Sequence, residues 1–117
     1  METVARHKNI VKSDEVIGVK VINNQNENLG KIYEIVLDKV SGQVKYVVLE
    51  SGSFLGLGGK FFAIPWNSIH YNLEEEAFVL GVSNDVLKKA PGFDKNNWPE
   101  FSDEVWAKSI ANYYSDL

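Results

Sequence analysis

The stretch Ser51 to Trp66, SGSFLGLGGKFFAIPW, places four glycines within the eight residues Gly52 to Gly59 and then turns into an apolar run. Glycines at this density are what a phosphate cradle needs, because backbone N–H groups must approach the ligand with no Cβ in the way. The other requirements fail. A P-loop needs Lys and then Ser or Thr after its last glycine, at the start of a helix; here Gly59-Lys60 is followed by Phe61. The dinucleotide spacing G-x-G-x-x-G, begun at Gly56 and Gly58, calls for a third glycine where Phe61 stands. The run KFFAIPW reads as a strand, so the glycine segment is expected to be a long hairpin loop in which Gly52, Gly56, Gly58 and Gly59 supply positive φ. Phe54, Leu55 and Leu57 are unexplained by turn chemistry. Either they fold back over one end of the fold or they meet a partner, which makes them the candidate partner-binding residues.

The remaining reactive side chains form no constellation. His7 and His70 are the only histidines and share no metal-ligand spacing, and the chain has no cysteine for a thiolate site or nucleophile. Glu74-Glu75-Glu76 reads as a solvated turn, and DKNNWP, Asp94 to Pro99, starts like a calcium loop but lacks its glycine and later carboxylates. No serine sits in G-x-S-x-G. Acid–base work by two carboxylates depends on folding rather than spacing, and no spacing marks a pair. The expectation is a chain with no catalytic, cofactor-binding or metal-binding residues, and not an enzyme.

These side chains must be positioned by one domain, because 117 residues at 44% hydrophobic content can bury a single core but not two. Net charge is −4 and the Lys and Arg residues are scattered apart from Lys88-Lys89, so no basic stripe is available for nucleic acid. METVARHKNIVKSDE at the N-terminus holds no apolar signal region, and the longest apolar run, Phe61 to Trp66, is far below the roughly 18 residues of a membrane span. A cytoplasmic protein is expected, with no membrane span and no direct nucleic-acid contact.

Residues 1–15 are polar and aperiodic and read as a flexible lead-in; order is expected from Val16. VIGVKVIN, LGKIYEIVLD and QVKYVVLE are Val-, Ile- and Tyr-rich runs parted by NQNEN and KVSG, which predicts a three-stranded meander. KFFAIPW, SIHY and AFVLGV complete about six short strands by Val82. So many strands in so little chain predict a mainly β fold, a small closed or partly open barrel over 16–82.

Alternation adds a requirement. KFFAIPW and AFVLGV are apolar on both faces, so the barrel's outer surface must be covered. Residues 83–117 offer the cover: a short helix N-capped by Ser83 and stopped by Pro91-Gly92, then a helix N-capped by Ser102 with a Phe101–Trp106 staple. Trp106, Ile110, Tyr113 and Leu117 fall on one stripe with Tyr114 at its edge. With Trp98 and Phe101, this tail carries enough aromatic area to dock.

In this order, Gly18-Val19-Lys20-Val21, Leu29-Gly30-Lys31-Ile32, Asp38 with Gly42, and Ala63-Ile64-Pro65-Trp66 make the region from about residue 14 to 82 resemble the PRC-barrel family. The tail APGFDKNNWPEF followed by NYY is similar to the extension of stand-alone bacterial members. That family's barrel is shared by the photosynthetic reaction centre H subunit and the ribosome maturation factor, but the lead-in is too short for the membrane helix or further barrel domain that those carry. The resemblance implies a non-catalytic binding module, an adaptor that docks onto a protein partner and is itself a homodimer. It carries no catalytic residues, and Gly18, Gly30, Gly42 and Pro65 fall at expected turns or strand ends. The alternative is a small-molecule or ion carrier with its site between the barrel and the aromatic tail.

Overall fold

A computed structural model describes residues 9–52 and 59–115. Six strands form one sheet: β1 (Lys20–Ile22), β2 (Asn28–Leu37), β3 (Val44–Glu50), β4 (Phe61–Pro65), β5 (Ile69–Asn72) and β6 (Ala77–Leu80). The order is β4-β3-β2-β1-β6-β5, with β1–β6 the parallel pair and every other pair antiparallel. β4 and β5 lie at opposite ends of that order, so of the two forms expected the sheet takes the partly open one.

Local chemistry sets each hairpin. Asp38 Oδ1 accepts from the Val40 and Ser41 N–H groups at 2.8 and 3.2 Å, and Gly42 at φ 79° completes the turn between β2 and β3. Asn72 Oδ1 does the same for Glu74 and Glu75, both at 2.9 Å, between β5 and β6. The glycine-rich segment joins β3 to β4, whose register pairs Glu50 with Phe61. Ser51 seals its base: its N–H and its hydroxyl both donate to the Lys60 carbonyl, at 3.0 and 2.9 Å. Gly59 has φ 75° as expected.

Gly30 departs from expectation. It lies inside β2 rather than at a turn or strand end, with φ 141°, where a Cβ would collide with the Glu50 carbonyl. The requirement comes from close approach of β3, not from a turn.

One face of the sheet makes the core. Val47 and Leu49 of β3 sit opposite Ile64 and Phe62 of β4, and these join Val21, Leu29, Ile32, Ile69, Phe78 and Leu80. Buried among apolar side chains, Asn23 saturates its amide: it accepts from the Gln25 and Glu27 N–H groups and donates to the Glu27 carboxylate and the Val82 carbonyl.

The opposite face is apolar too, and the C-terminal segment covers it. Tyr33, an extra residue where the β2–β3 register slips, stacks on Phe61 with ring centroids 4.6 Å apart. Trp98 packs against Tyr33, Phe61 and Phe93 at 6.1, 5.7 and 5.0 Å, and Tyr46 meets Phe101 and Trp106 at 6.0 and 5.3 Å. The tail therefore docks on its own sheet.

Helix α1 (Asn84–Lys88) begins at Ser83, whose hydroxyl accepts from the Val86 N–H. In α2 (Glu104–Ser115) the cap is one residue later than expected: Asp103 Oδ1 accepts from Val105 at 2.9 Å, whereas the Ser102 N–H is bonded to Glu100. Aspartate outcompetes serine here because a carboxylate accepts more strongly and complements the helix dipole. The staple rings still meet, Phe101 edge-on to Trp106 at 5.4 Å. The stripe also turns: Ile110 and Tyr114 are the buried residues, while Tyr113 is partly buried and donates its hydroxyl to the Val86 carbonyl at 2.6 Å. Leu117 lies outside the described residues.

Candidate functional site

Phe54, Leu55 and Leu57 lie outside the described residues. The two strands they connect, β3 and β4, are adjacent and antiparallel.

The described residues place a cleft elsewhere, where the core face of the β5–β6 hairpin opens outward. It encloses about 620 Å³ and is lined by Val11, Val16, Val19, Trp66, Ile69, Tyr71, Leu73 and Phe78, with Asn9, Glu15, His70 and Glu76 contributing polar groups. Three features shape it. Pro65 ends β4, and the chain leaves in a 3₁₀ turn, Trp66–Ser68, that turns the indole toward Phe78 at 6.2 Å. Register sets Tyr71 opposite Phe78, their rings edge-on at 5.1 Å. A second 3₁₀ turn, Ser13–Glu15, brings the N-terminal segment up as the far wall, with the Glu15 carboxylate accepting from the Lys12 N–H at 3.1 Å.

The cleft is both apolar and open. Trp66, Tyr71 and Leu73 are 41%, 44% and 44% exposed, although a folded chain ordinarily gathers such side chains inside. Among the described residues, the formally charged groups lining it are Glu15 and Glu76.

A second, smaller cleft of about 380 Å³ lies between Asn67, Ser68, Leu80 to Val82 and the end of α2, at Tyr114 and Ser115. The buried Tyr114 hydroxyl has no hydrogen-bond partner there among the described residues, and burial, with Tyr113 beside it, pushes its pKa far above the ordinary tyrosine value.

Among the described residues no three His, Asp or Glu side chains gather as metal ligands. His70 is, among the described residues, the only imidazole at the larger cleft. Trp98 and Trp106 line neither cleft, because their rings pack directly against the sheet.

No motif or spacing in the sequence singles out the residues that make the larger cleft. Trp66 and Tyr71 belong to runs that read as strands, and Val11 to a segment that reads as lead-in. Their meeting depends on β6 pairing with β1, which no local spacing announces. One signal is present: Leu73 stands apolar in the otherwise polar turn NLEEE.

No helix among the described residues is long and apolar enough to cross a membrane. The sequence profile described as PRC-barrel domain matches residues 8–87. No curated protein matches the chain. Among solved structures, the chain is similar to a putative 16S ribosomal RNA processing protein, RimM, from Pseudomonas aeruginosa, with 16% sequence identity and a TM-score of 0.46. The match covers 68% of this chain and 48% of that one, so the chain spans about half the length of that relative.

Proposed function

Because this chain belongs to the PRC-barrel domain family, we propose that it works as a non-catalytic protein-interaction module, an adaptor or assembly factor whose partner binds at the β5–β6 cleft. The observation that carries the reading is the exposure of Trp66, Tyr71 and Leu73 around an apolar cleft in a fold that covers its other apolar face with its own tail. Phe54, Leu55 and Leu57 form a second proposed contact, through which the chain pairs with its own copy as a homodimer and leaves the cleft to the partner.

The test is a pull-down from source cells with three baits whose folding is verified by circular dichroism. They are the wild type, Tyr71→Lys with Leu73→Lys, and Phe54→Ser with Leu55→Ser and Leu57→Ser. The reading expects a specific partner that the cleft variant loses. Identical captures by all three baits would remove it.

The alternative of a small-molecule carrier takes support from the cleft's volume, which lies within the roughly 300–1,000 Å³ of ordinary ligand pockets. It would place the ligand against the N-terminal segment rather than the aromatic tail. A metabolite that raises the melting temperature of the wild type but not of the cleft variant would favour it.

A further inference from the structure

Two adjacent tyrosines near the end of α2 differ in one respect. The Tyr113 hydroxyl donates to the Val86 carbonyl at 2.6 Å, which ties this end of the helix to α1. The Tyr114 hydroxyl is buried and has no partner among the described residues. Asn84 Oδ1 is also buried without a partner among those residues, but Asn84 lines neither cleft, whereas Tyr114 lines the smaller one. Buried polar groups ordinarily have partners, so one left open beside a cleft points to something the cleft receives.

The phenol is held in place. With Ile110 one turn before it, Tyr114 forms the buried side of α2 and is 6% exposed, and the Tyr113 ring packs edge-on against it at 5.2 Å. The wall made by Leu80, Gly81 and Val82 is fixed as well. The Val82 N–H donates to the Leu80 carbonyl at 2.8 Å, and the Val82 carbonyl accepts from the buried Asn23 amide at 3.1 Å. Asn67, exposed, and Ser68, half-buried, add an amide and a hydroxyl nearer to solvent.

Chemistry narrows the ligand. Burial, with Tyr113 beside it, keeps the Tyr114 phenol protonated at neutral pH, so it has a proton to donate and calls for an acceptor. Helix α2 ends at Ser115, and the carbonyls of its last turn carry the negative end of the helix dipole. A carboxylate in the cleft would give up its hydration and face that negative end, and a neutral carbonyl is spared both costs. The volume of about 380 Å³ lies near the lower end of the roughly 300–1,000 Å³ of ligand pockets, which suits a small molecule.

We propose that the smaller cleft binds a small neutral amide, whose carbonyl accepts from the Tyr114 hydroxyl and whose N–H groups turn toward Asn67 and Ser68. The site is separate from the β5–β6 cleft and does not depend on the interaction reading.

The test is an NMR titration of the full chain, isotope-labelled in its backbone amides and tyrosine rings. The probes are isobutyramide and isobutyrate, which share a carbon skeleton and differ in charge. Isobutyramide is expected to bind with millimolar affinity, with saturable shifts at the Tyr114 ring and at the amides of Asn67, Ser68, Gly81 and Val82. Isobutyrate should bind at least about threefold more weakly. Tyr114→Phe should weaken isobutyramide at least about threefold. Away from the cleft the free variant should keep the wild-type spectrum, since the deleted hydroxyl holds no partner among the described residues. The wild type alone can overturn the inference, by showing no saturable shift or shifts only outside the cleft. Equal binding by Tyr114→Phe, or isobutyrate binding as tightly as isobutyramide, would overturn it too. A long-lived water seen against the Tyr114 hydroxyl, and left in place by isobutyramide, would make the cleft a trapped-water site only and defeat the inference.

Discussion

Phe61 and Phe93 exchange two backbone hydrogen bonds of 2.9 Å, so the chain just past the Pro91-Gly92 stop pairs with the free side of β4. Replacing Phe93 by Pro removes one donor and is expected to cost about 1–3 kcal/mol. Hydrogen exchange should then speed up at Phe61 and along β4. Gly92→Ala is expected to loosen the same contact, because its Cβ would stand 2.9 Å from the Phe61 carbonyl oxygen and 3.0 Å from Phe62 Cε1.

Asn23 ties the β1–β2 turn to the end of β6 through one buried amide. Asn23→Ala leaves several buried groups without partners and is expected to lower stability by about 2–3 kcal/mol in urea unfolding. Asn23→Asp should do no better at neutral pH. It keeps the two acceptor bonds but sets a carboxylate against Glu27 and the Val82 carbonyl.

Adjacent tyrosines should respond oppositely to loss of the hydroxyl. Tyr113→Phe breaks the 2.6 Å bond to the Val86 carbonyl and should cost about 1 kcal/mol. Tyr114→Phe removes a buried hydroxyl that has no partner among the described residues, and should be neutral or stabilising by up to about 1 kcal/mol. Paired denaturation curves check both.

The Asp38 carboxyl is held below its ordinary value of 3.8 chiefly by the Val40 N–H and then by the Ser41 N–H. A carboxylate depressed in the folded state contributes stability that is complete above the unfolded value and lost as pH falls toward the folded one. Wild type should therefore exceed Asp38→Ala in stability above about pH 5. The part of that difference due to ionisation should shrink progressively as the pH falls below about 4 and be gone only below the depressed folded value.

Much of the architecture is legible in the sequence because it rests on local chemistry. The six strands follow from Val-, Ile- and Phe-rich runs between turn residues, and Ser83 and Asp38 sit where their side chains can satisfy nearby N–H groups. Two-sided apolarity of the fourth run requires a cover, and Trp98, Phe101 and Trp106 supply it. Competition between neighbours is harder to read: Asp103 displaces Ser102 as the cap, and Tyr114 rather than Tyr113 turns inward. Apart from Leu73, apolar in the turn NLEEE, no residue of the candidate site is marked in the sequence. Trp66, Tyr71 and Phe78 meet through the β5–β6 hairpin and the turn before it, but only the crossover that sets β6 beside β1 brings Val16 to them.

The most direct test of the account is the amide exchange footprint of the wild-type chain bound to the protein it captures from cells. The account predicts new protection across Trp66 to Leu73, on the cleft and the β5 edge, with β4 unchanged. Protection confined to the Ser53 to Gly58 segment or to the aromatic tail, with Trp66 to Leu73 exchanging as in the free chain, would contradict it.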